Sequence, residues 1–331
     1  MEETLQWGII GGARIAQGEF LPALHKSEQG EIRAVASKSG SSDEYQDIPV
    51  FYPSYEELLD DRLIDAVYIA LPNSLHAEWA KKAMEKGKHV LLEKPAGISL
   101  QEVTDMKKAA EKNQVVLMEA FMHQFHKQHD VIKKLLQKNK LGEWQYFKAH
   151  FSFQITNLDD IRLKKELGGG ALYDIGCYGI HTMNQLLEWK PEKVTTRGKR
   201  NETNGVDVLS TSIFEDENGR FAEILASFDL PPMNQYEIIC EKGSILLEHA
   251  YRPDASANGC GTITVKDQNG TVVSTTDVQD DAYLNEINHI QACIRENTSP
   301  LYTLGDSEEV NLLVERAYQS LREQKTKDIK F

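Results

Sequence analysis

The sequence is short of cysteine, of long apolar runs and of positive charge, and each shortage removes a class of function. Its four cysteines, Cys177, Cys240, Cys260 and Cys293, lie far apart in 331 residues. None forms a Cys-x-x-Cys pair, so neither a metal cage nor a disulfide framework is expected, only reduced thiols. No segment reaches the roughly 20 apolar residues that span a bilayer. The segment Met1 to Gln6 carries Glu2 and Glu3 where a signal peptide needs positive charge, so the expected place is the cytoplasm. Lys and Arg number 37 against 51 Asp and Glu, a formal charge of −14. That balance argues against nucleic acid and against an anionic membrane surface as partners. Any phosphate must be held by a few local groups. Internal repeats, low-complexity stretches and long linkers are also missing.

What remains is enough for two packed domains sharing one cleft, since 331 residues at 40% apolar content exceed the usual single-domain size. The first third alternates apolar runs with amphipathic ones: Leu5–Ile10, a helical stretch from Arg14 to Lys26, then Ile32–Ala36. Ser54-Tyr-Glu-Glu57 and Ser99-Leu-Gln-Glu102 are capping boxes that open helices. Ile64–Ala70 is a continuous apolar run of the kind found in strands buried on both faces, and His89–Leu92 and Gln114–Met118 read as further strands. This pattern predicts a doubly wound parallel sheet over residues 1–120. From 121 to 331 the strands alternate in polarity and meet at Gly219, Gly243 and Gly270, which are hairpin signals. The expectation there is an α+β domain with a large open, mostly antiparallel sheet, closed by helices near 282–296 and 307–323.

The run Trp7-Gly-Ile-Ile-Gly-Gly-Ala-Arg-Ile-Ala16 sits where the first strand meets the first helix. Counted from Gly11, it is a G-x-G-x-x-G turn with Ala13 and Ala16 in the later glycine positions. A dinucleotide pyrophosphate needs a tight turn at Gly11, close backbone approach near Gly12 and Ala13, and a small residue at Ala16 for helix packing; Arg14 and Ile15 complete the turn. That makes the first domain a Rossmann domain. An NAD site would carry Asp or Glu at the end of the second strand to hold the ribose 2′-hydroxyl. Here that place reads Ala36-Ser37-Lys38-Ser39. With no carboxylate to repel a 2′-phosphate, and Ser37, Lys38 and Arg14 to bind one, NADP is favoured over NAD.

The fifth strand ends in Leu92-Glu93-Lys94-Pro95, which places a lysine at the carboxyl edge of the sheet, where open α/β folds bind ligands. With Leu71-Pro-Asn-Ser-Leu-His76, Glu119-Ala-Phe-Met122 and Gly168-Gly-Gly-Ala-Leu-Tyr-Asp-Ile-Gly-Cys-Tyr178, the chain resembles the glucose-fructose oxidoreductase / inositol dehydrogenase / MocA family over nearly its whole length. Asp174-x-x-x-Tyr178, in place of Asp-x-x-x-His, is similar to the branch of dimeric dihydrodiol dehydrogenases and NADP-dependent xylose dehydrogenases. Gln124 stands where many relatives carry arginine.

The resemblance implies hydride transfer between nicotinamide and a secondary alcohol or ketone of a sugar, polyol or trans-dihydrodiol. It implies that Lys94 is catalytic, that the Glu-Lys-Pro segment turns through a cis proline, and that Leu71, Asn73, His76 and Glu93 contact the cofactor. It implies Arg162 near the nicotinamide or the substrate, and a homodimer or homotetramer paired through the C-terminal sheet. The residues agree with that chemistry. Oxidising a carbinol requires a base at its hydroxyl, and Asp174 and Tyr178, four apart, share one helix face. Tyr178 is assigned as acid/base, Lys94 as its cationic partner and donor to the substrate oxygen, and Asp174 as orienter; a helix cap is the plain alternative for Asp174. His181 stands as the other candidate base and, with His123, as a substrate contact. A non-catalytic dinucleotide-dependent sugar sensor is the competing reading; the presence of both Lys94 and Tyr178 weighs against it.

Overall fold

The computed structural model describes residues 4–38 and 40–331, so Ser39 lies outside the described residues. The chain forms two compact units. The first takes the described residues up to Met122 together with Asp281–Asn311, and the second takes His123–Asp280 with Leu312–Phe331. This differs from a partition into 1–120 and 121–331, because the segment 281–311 packs with the first unit. Helix Ala282–Glu296 buries Tyr283, Ile287 and Ile290, and Lys26 reaches Asp281 at 2.6 Å. The periodicity of a helix marks its apolar face but not the sheet that this face will cover.

In the first unit six strands, β1 (Leu5–Ile10), β2 (Gly30–Ala36), β3 (Val50–Tyr52), β4 (Ala66–Ile69), β5 (His89–Glu93) and β6 (Leu117–Ala120), lie in the order β3-β2-β1-β4-β5-β6. Every pairing is parallel. The order reverses between β1 and β4, and crevices at such a switch point, outside the strands' carboxyl ends, bind ligands. All four residues of β4 are buried, which is why its sequence is apolar without alternation. Both capping boxes form: Ser54 Oγ accepts the Glu57 amide at 3.2 Å and Ser99 Oγ accepts the Glu102 amide at 3.3 Å. β6 starts later than its apolar run, because Gln114 adopts φ 55° to end helix Leu100–Asn113.

The second unit is built on a nine-stranded sheet of β7 (Trp144–Ser152), β8 (Lys193–Arg200), β9 (Asp207–Glu215), β10 (Phe221–Ser227), β11 (Met233–Cys240), β12 (Gly243–Glu248), β13 (Cys260–Asp267), β14 (Val272–Gln279) and β15 (Lys327–Asp328). Its order is β14-β13-β12-β11-β7-β10-β9-β8-β15. Only the central β7–β10 pairing is parallel; the three glycine turns join antiparallel neighbours β9–β10, β11–β12 and β13–β14. Helix Cys177–Leu186 lies on one face of this sheet. Gly179 permits the close approach, since a Cβ there would stand 2.8 Å from Ile224 Cγ2 and 3.0 Å from Ala149 Cβ. The alternate positions on the other face leave Ile213, Phe221 and Met233 exposed.

Candidate active site

The glycine turn in the first unit is shaped as a pyrophosphate cradle. Gly11 has φ 108°, and a Cβ there would lie 2.3 Å from the Ala70 carbonyl oxygen, so only glycine fits. Its amide donates to the Ala36 carbonyl at 2.9 Å, tying the turn to the end of β2. A Cβ on Gly12 would lie 2.5 Å from the Tyr45 hydroxyl and 2.8 Å from Ser37 Oγ. Gly12 and Arg14 remain exposed, and Ala13 and Ile15 are half-buried, so the turn is open to a ligand. The helix that follows begins with a π turn at Ala16–Phe20, a form often found at functional sites.

Beyond β2 no carboxylate occupies residues 36–38. Ser37 is buried and its Oγ accepts the Gly40 amide at 2.9 Å, which leaves it one proton to donate. Lys38 is exposed, with Nζ 4.9 Å from the Tyr55 ring centre and 5.4 Å from that of Trp79. Tyr45, Tyr55 and Trp79 were not legible as site residues, because they come from separate turns and helices that meet only on folding.

At the end of β5, Glu93 accepts the Tyr68 hydroxyl at 2.5 Å and, more weakly, the Lys94 amide at 3.3 Å. The Lys94–Pro95 peptide bond is cis. Leu71 packs its side chain against Gly11. Asn73 lies in a 3-10 turn, Asn73–Leu75, just before helix His76–Glu85. His76 opens that helix. It is fully buried, with ring nitrogens 2.8 Å from the Leu71 and Pro95 carbonyl oxygens, and so braces two loops. Burial, with Lys94 adding to it, holds this imidazole below its ordinary range.

In the second unit the helical run 171–186 carries the Asp-x-x-x-Tyr motif and also opens with a π turn, Leu172–Gly176. Asp174 does not cap it. The cap is Asp207 on β9, whose Oδ2 accepts the Leu172 amide at 2.7 Å, while its Oδ1 takes the Tyr318 hydroxyl at 2.7 Å. Asp174 instead faces Arg162, whose Nη1 lies 4.0 Å from its Oδ2. Arg162 is oriented by Asp160, which accepts Nε at 2.9 Å and Nη2 at 2.7 Å, and by stacking 5.1 Å from the Phe153 ring centre. Those paired contacts hold the guanidinium still while leaving it part-exposed.

Tyr178 is 8% exposed, whereas His123 and His181 are each at 1%. The two histidines form its backing: the His123 ring centre is 5.1 Å from that of Tyr178 and 4.7 Å from that of His181, and His123 Nε2 pairs with Thr182 Oγ1 at 3.3 Å. Burial, then His129 and Lys133, push the His181 imidazole well below its ordinary range, so it is neutral. His129 behind it is lowered to about 3, chiefly by burial. A histidine so reluctant to accept a proton is a poor base, which is a property of its surroundings and invisible in its spacing.

Comparison with known proteins adds a further observation. Residues 5–121 match the oxidoreductase family with an NAD-binding Rossmann fold, and residues 129–246 match the GFO/IDH/MocA C-terminal domain. The chain belongs to the GFO/IDH/MocA oxidoreductase family. It is 33% identical over 322 residues to an NADP(+) D-xylose 1-dehydrogenase of Haloferax volcanii, covering 96% of this chain and 97% of that one. It is 31% identical over 325 residues to trans-1,2-dihydrobenzene-1,2-diol dehydrogenase of Xenopus laevis, covering 96% and 98%. A 3-ketoreductase from Actinomadura kijaniata, solved in complex with NADP and TDP-benzene, superposes with a TM-score of 0.91 at 27% identity, covering 96% and 98%. Like other GFO/IDH/MocA chains, this one pairs a Rossmann unit with a large second sheet, and its activity is that of an oxidoreductase. Among the described residues no helix is long and apolar enough to cross a membrane.

Proposed function

We propose that this GFO/IDH/MocA protein is an NADP-dependent dehydrogenase that interconverts a secondary alcohol and a ketone on a sugar, polyol or trans-dihydrodiol. The observation that carries the cofactor choice is the open Gly11–Gly12 turn at the β1/β4 switch point combined with Lys38, and no acid, at the end of β2. In this reading Gly11, Gly12, Ala13, Arg14 and Ile15 hold the pyrophosphate. Lys38, Ser37 and Arg14 hold the 2′-phosphate, and Leu71, Asn73 and Glu93 line the nicotinamide side. When bound, NADP supplies the hydride acceptor or donor.

The chain's own groups handle the proton and the substrate oxygen. Lys94 donates to that oxygen and stabilises negative charge on it as the carbon–hydrogen bond breaks. Tyr178 takes the hydroxyl proton during oxidation and returns it during reduction. The neutral, deeply buried His181 supports Tyr178 over His181 in this role. Asp174, paired with Arg162, orients the substrate's hydroxyls, and such polar groups favour a hydroxyl-rich ligand that replaces the water they lose on binding it.

The open face of the second sheet supports a homodimer or homotetramer, since Ile213, Phe221 and Met233 there are 42%, 43% and 38% exposed. Free thiols at Cys177, Cys240, Cys260 and Cys293 fit a cytoplasmic setting. The test is a panel of aldoses, polyols and trans-dihydrodiols assayed with NADP and with NAD. Turnover with at least one substrate, faster with NADP, is expected. Tight NADPH binding with no turnover on any of them overturns the reading in favour of a sensor.

A further inference from the structure

The backbone just beyond Lys94 is held group by group by side chains of the first unit. The Pro95 carbonyl meets His76 Nδ1 at 2.8 Å, and the Ala96 amide donates to Glu119 Oε1 at 2.7 Å. The Gly97 carbonyl accepts Asn311 Nδ2 at 2.9 Å, and the Ile98 amide donates to Glu102 Oε2 at 2.8 Å. Of these clamps Glu119, in β6, is a carboxyl only 3% exposed. Glu93 and Lys94 face it from the end of β5, and Ser307 faces it from the helix that begins at Leu304. His76 bears on the same turn from its own helix, its imidazole held below the ordinary range by burial.

We propose that Glu119 is a positioning residue for Lys94: its carboxyl anchors the chain two residues beyond the lysine and, when ionised, attracts the ammonium. The inference rests on the role given to Lys94 above. Glu119 itself is too buried to touch substrate. Burial raises its carboxyl to about 7, opposed by Ser307, the Ala96 amide and Lys94, with the charge of Glu93 adding to the rise. In acid the group carries no charge and acts on the turn through the hydrogen bond from the Ala96 amide. Above neutrality it adds a negative charge in low-dielectric surroundings, which attracts the Lys94 ammonium and fixes it in place.

Steady-state oxidation between pH 6 and 8.5, at saturating cofactor, tests this with wild type, Glu119→Gln, Glu119→Ala and Lys94→Ala. Glutamine keeps the acceptor for Ala96 but cannot ionise. The ratio of wild-type kcat to that of Glu119→Gln should climb as pH passes about 7, with the cofactor KM within about twofold, and Glu119→Ala should lose about tenfold to a hundredfold in kcat throughout. A ratio that stays flat overturns the inference. Full turnover by Lys94→Ala instead rejects the reading of Lys94, and the inference with it. Infrared or carbon NMR titration of isotope-labelled glutamate gives a readout independent of turnover: in Lys94→Ala the Glu119 titration should move to higher pH, and an unmoved titration also overturns the inference.

Discussion

Asp207 accepts the backbone amide of Leu172 at 2.7 Å, from 35 residues further along the chain. That contact fixes the start of the helical run bearing Asp174 and Tyr178, and Tyr318 reinforces it by donating to Asp207 while accepting the Tyr173 amide at 3.2 Å. Gly170 makes room for it, since a Cβ there would stand 2.3 Å from Asp207 Oδ1. Asp207→Ala leaves a buried amide and a buried phenol without their acceptor, and should cost about 2 to 4 kcal/mol. Urea unfolding of wild type and variant measures it, and Asp207→Asn should fall between the two. Equal midpoints for all three would show that the cap carries no stability.

Lys94→Ala should lower kcat by about a hundredfold or more, the usual scale for losing a group that acts on the reacting oxygen. NADPH binding, followed by fluorescence titration, should stay within about threefold of wild type. Wild-type kcat in this variant would remove Lys94 from the chemistry.

Lys38→Asp places a carboxylate where the reading puts the 2′-phosphate. The ratio of kcat/KM for NADP to that for NAD should fall by about tenfold or more, through repulsion of the phosphate. An unchanged ratio would mean that the phosphate is held elsewhere.

Glu119 also makes stability depend on pH, and the sign follows from its raised carboxyl. The folded state holds the proton up to about 7, whereas the unfolded chain releases it near the ordinary value of 4.5. The stabilisation is complete below about 4.5 and is lost as pH rises through about 7, by at most about 3 kcal/mol. Thermal melts of wild type and Glu119→Gln at pH 5 and pH 8 isolate this group: the wild type should lose ground to the variant at pH 8. A difference that is the same at both values would contradict the raised carboxyl.

If the chain pairs through the open sheet face as proposed, charge placed there should separate the subunits. Ile213→Lys combined with Phe221→Glu removes two of the exposed apolar side chains of this face, which should shift sedimentation toward the monomer without lowering the melting temperature by more than a few degrees. Unaltered sedimentation would reject pairing through this face.

Local physics made the first sheet readable. Ser54 and Ser99 announce helices because an N-cap is a contact of three residues, and β4 announces its burial because both faces are apolar. The hairpins at Gly219 and Gly270 are readable because φ of 81° and 78° suits glycine. What escaped depends on distant partners. Nothing near His76 in the sequence announces that its ring nitrogens meet the carbonyls of Leu71 and Pro95. Tyr45 reaches Gly12, and Tyr318 reaches Asp207, across separations that no window on the sequence spans. Glu119 did leave a trace, as a lone acid within the apolar run Leu117-Met118-Glu119-Ala120, where a charge is costly unless it is held.

The first unit borrows residues 281–311 from late in the chain, and this has a consequence for assembly. Thr104 and Lys107 bond to Glu308, and Gly97 bonds to Asn311, across sequence separations of 204, 201 and 214. During synthesis the nucleotide-binding half therefore emerges with part of its covering still unmade, and it must wait through the translation of strands β7 to β14 before residues 281–311 arrive.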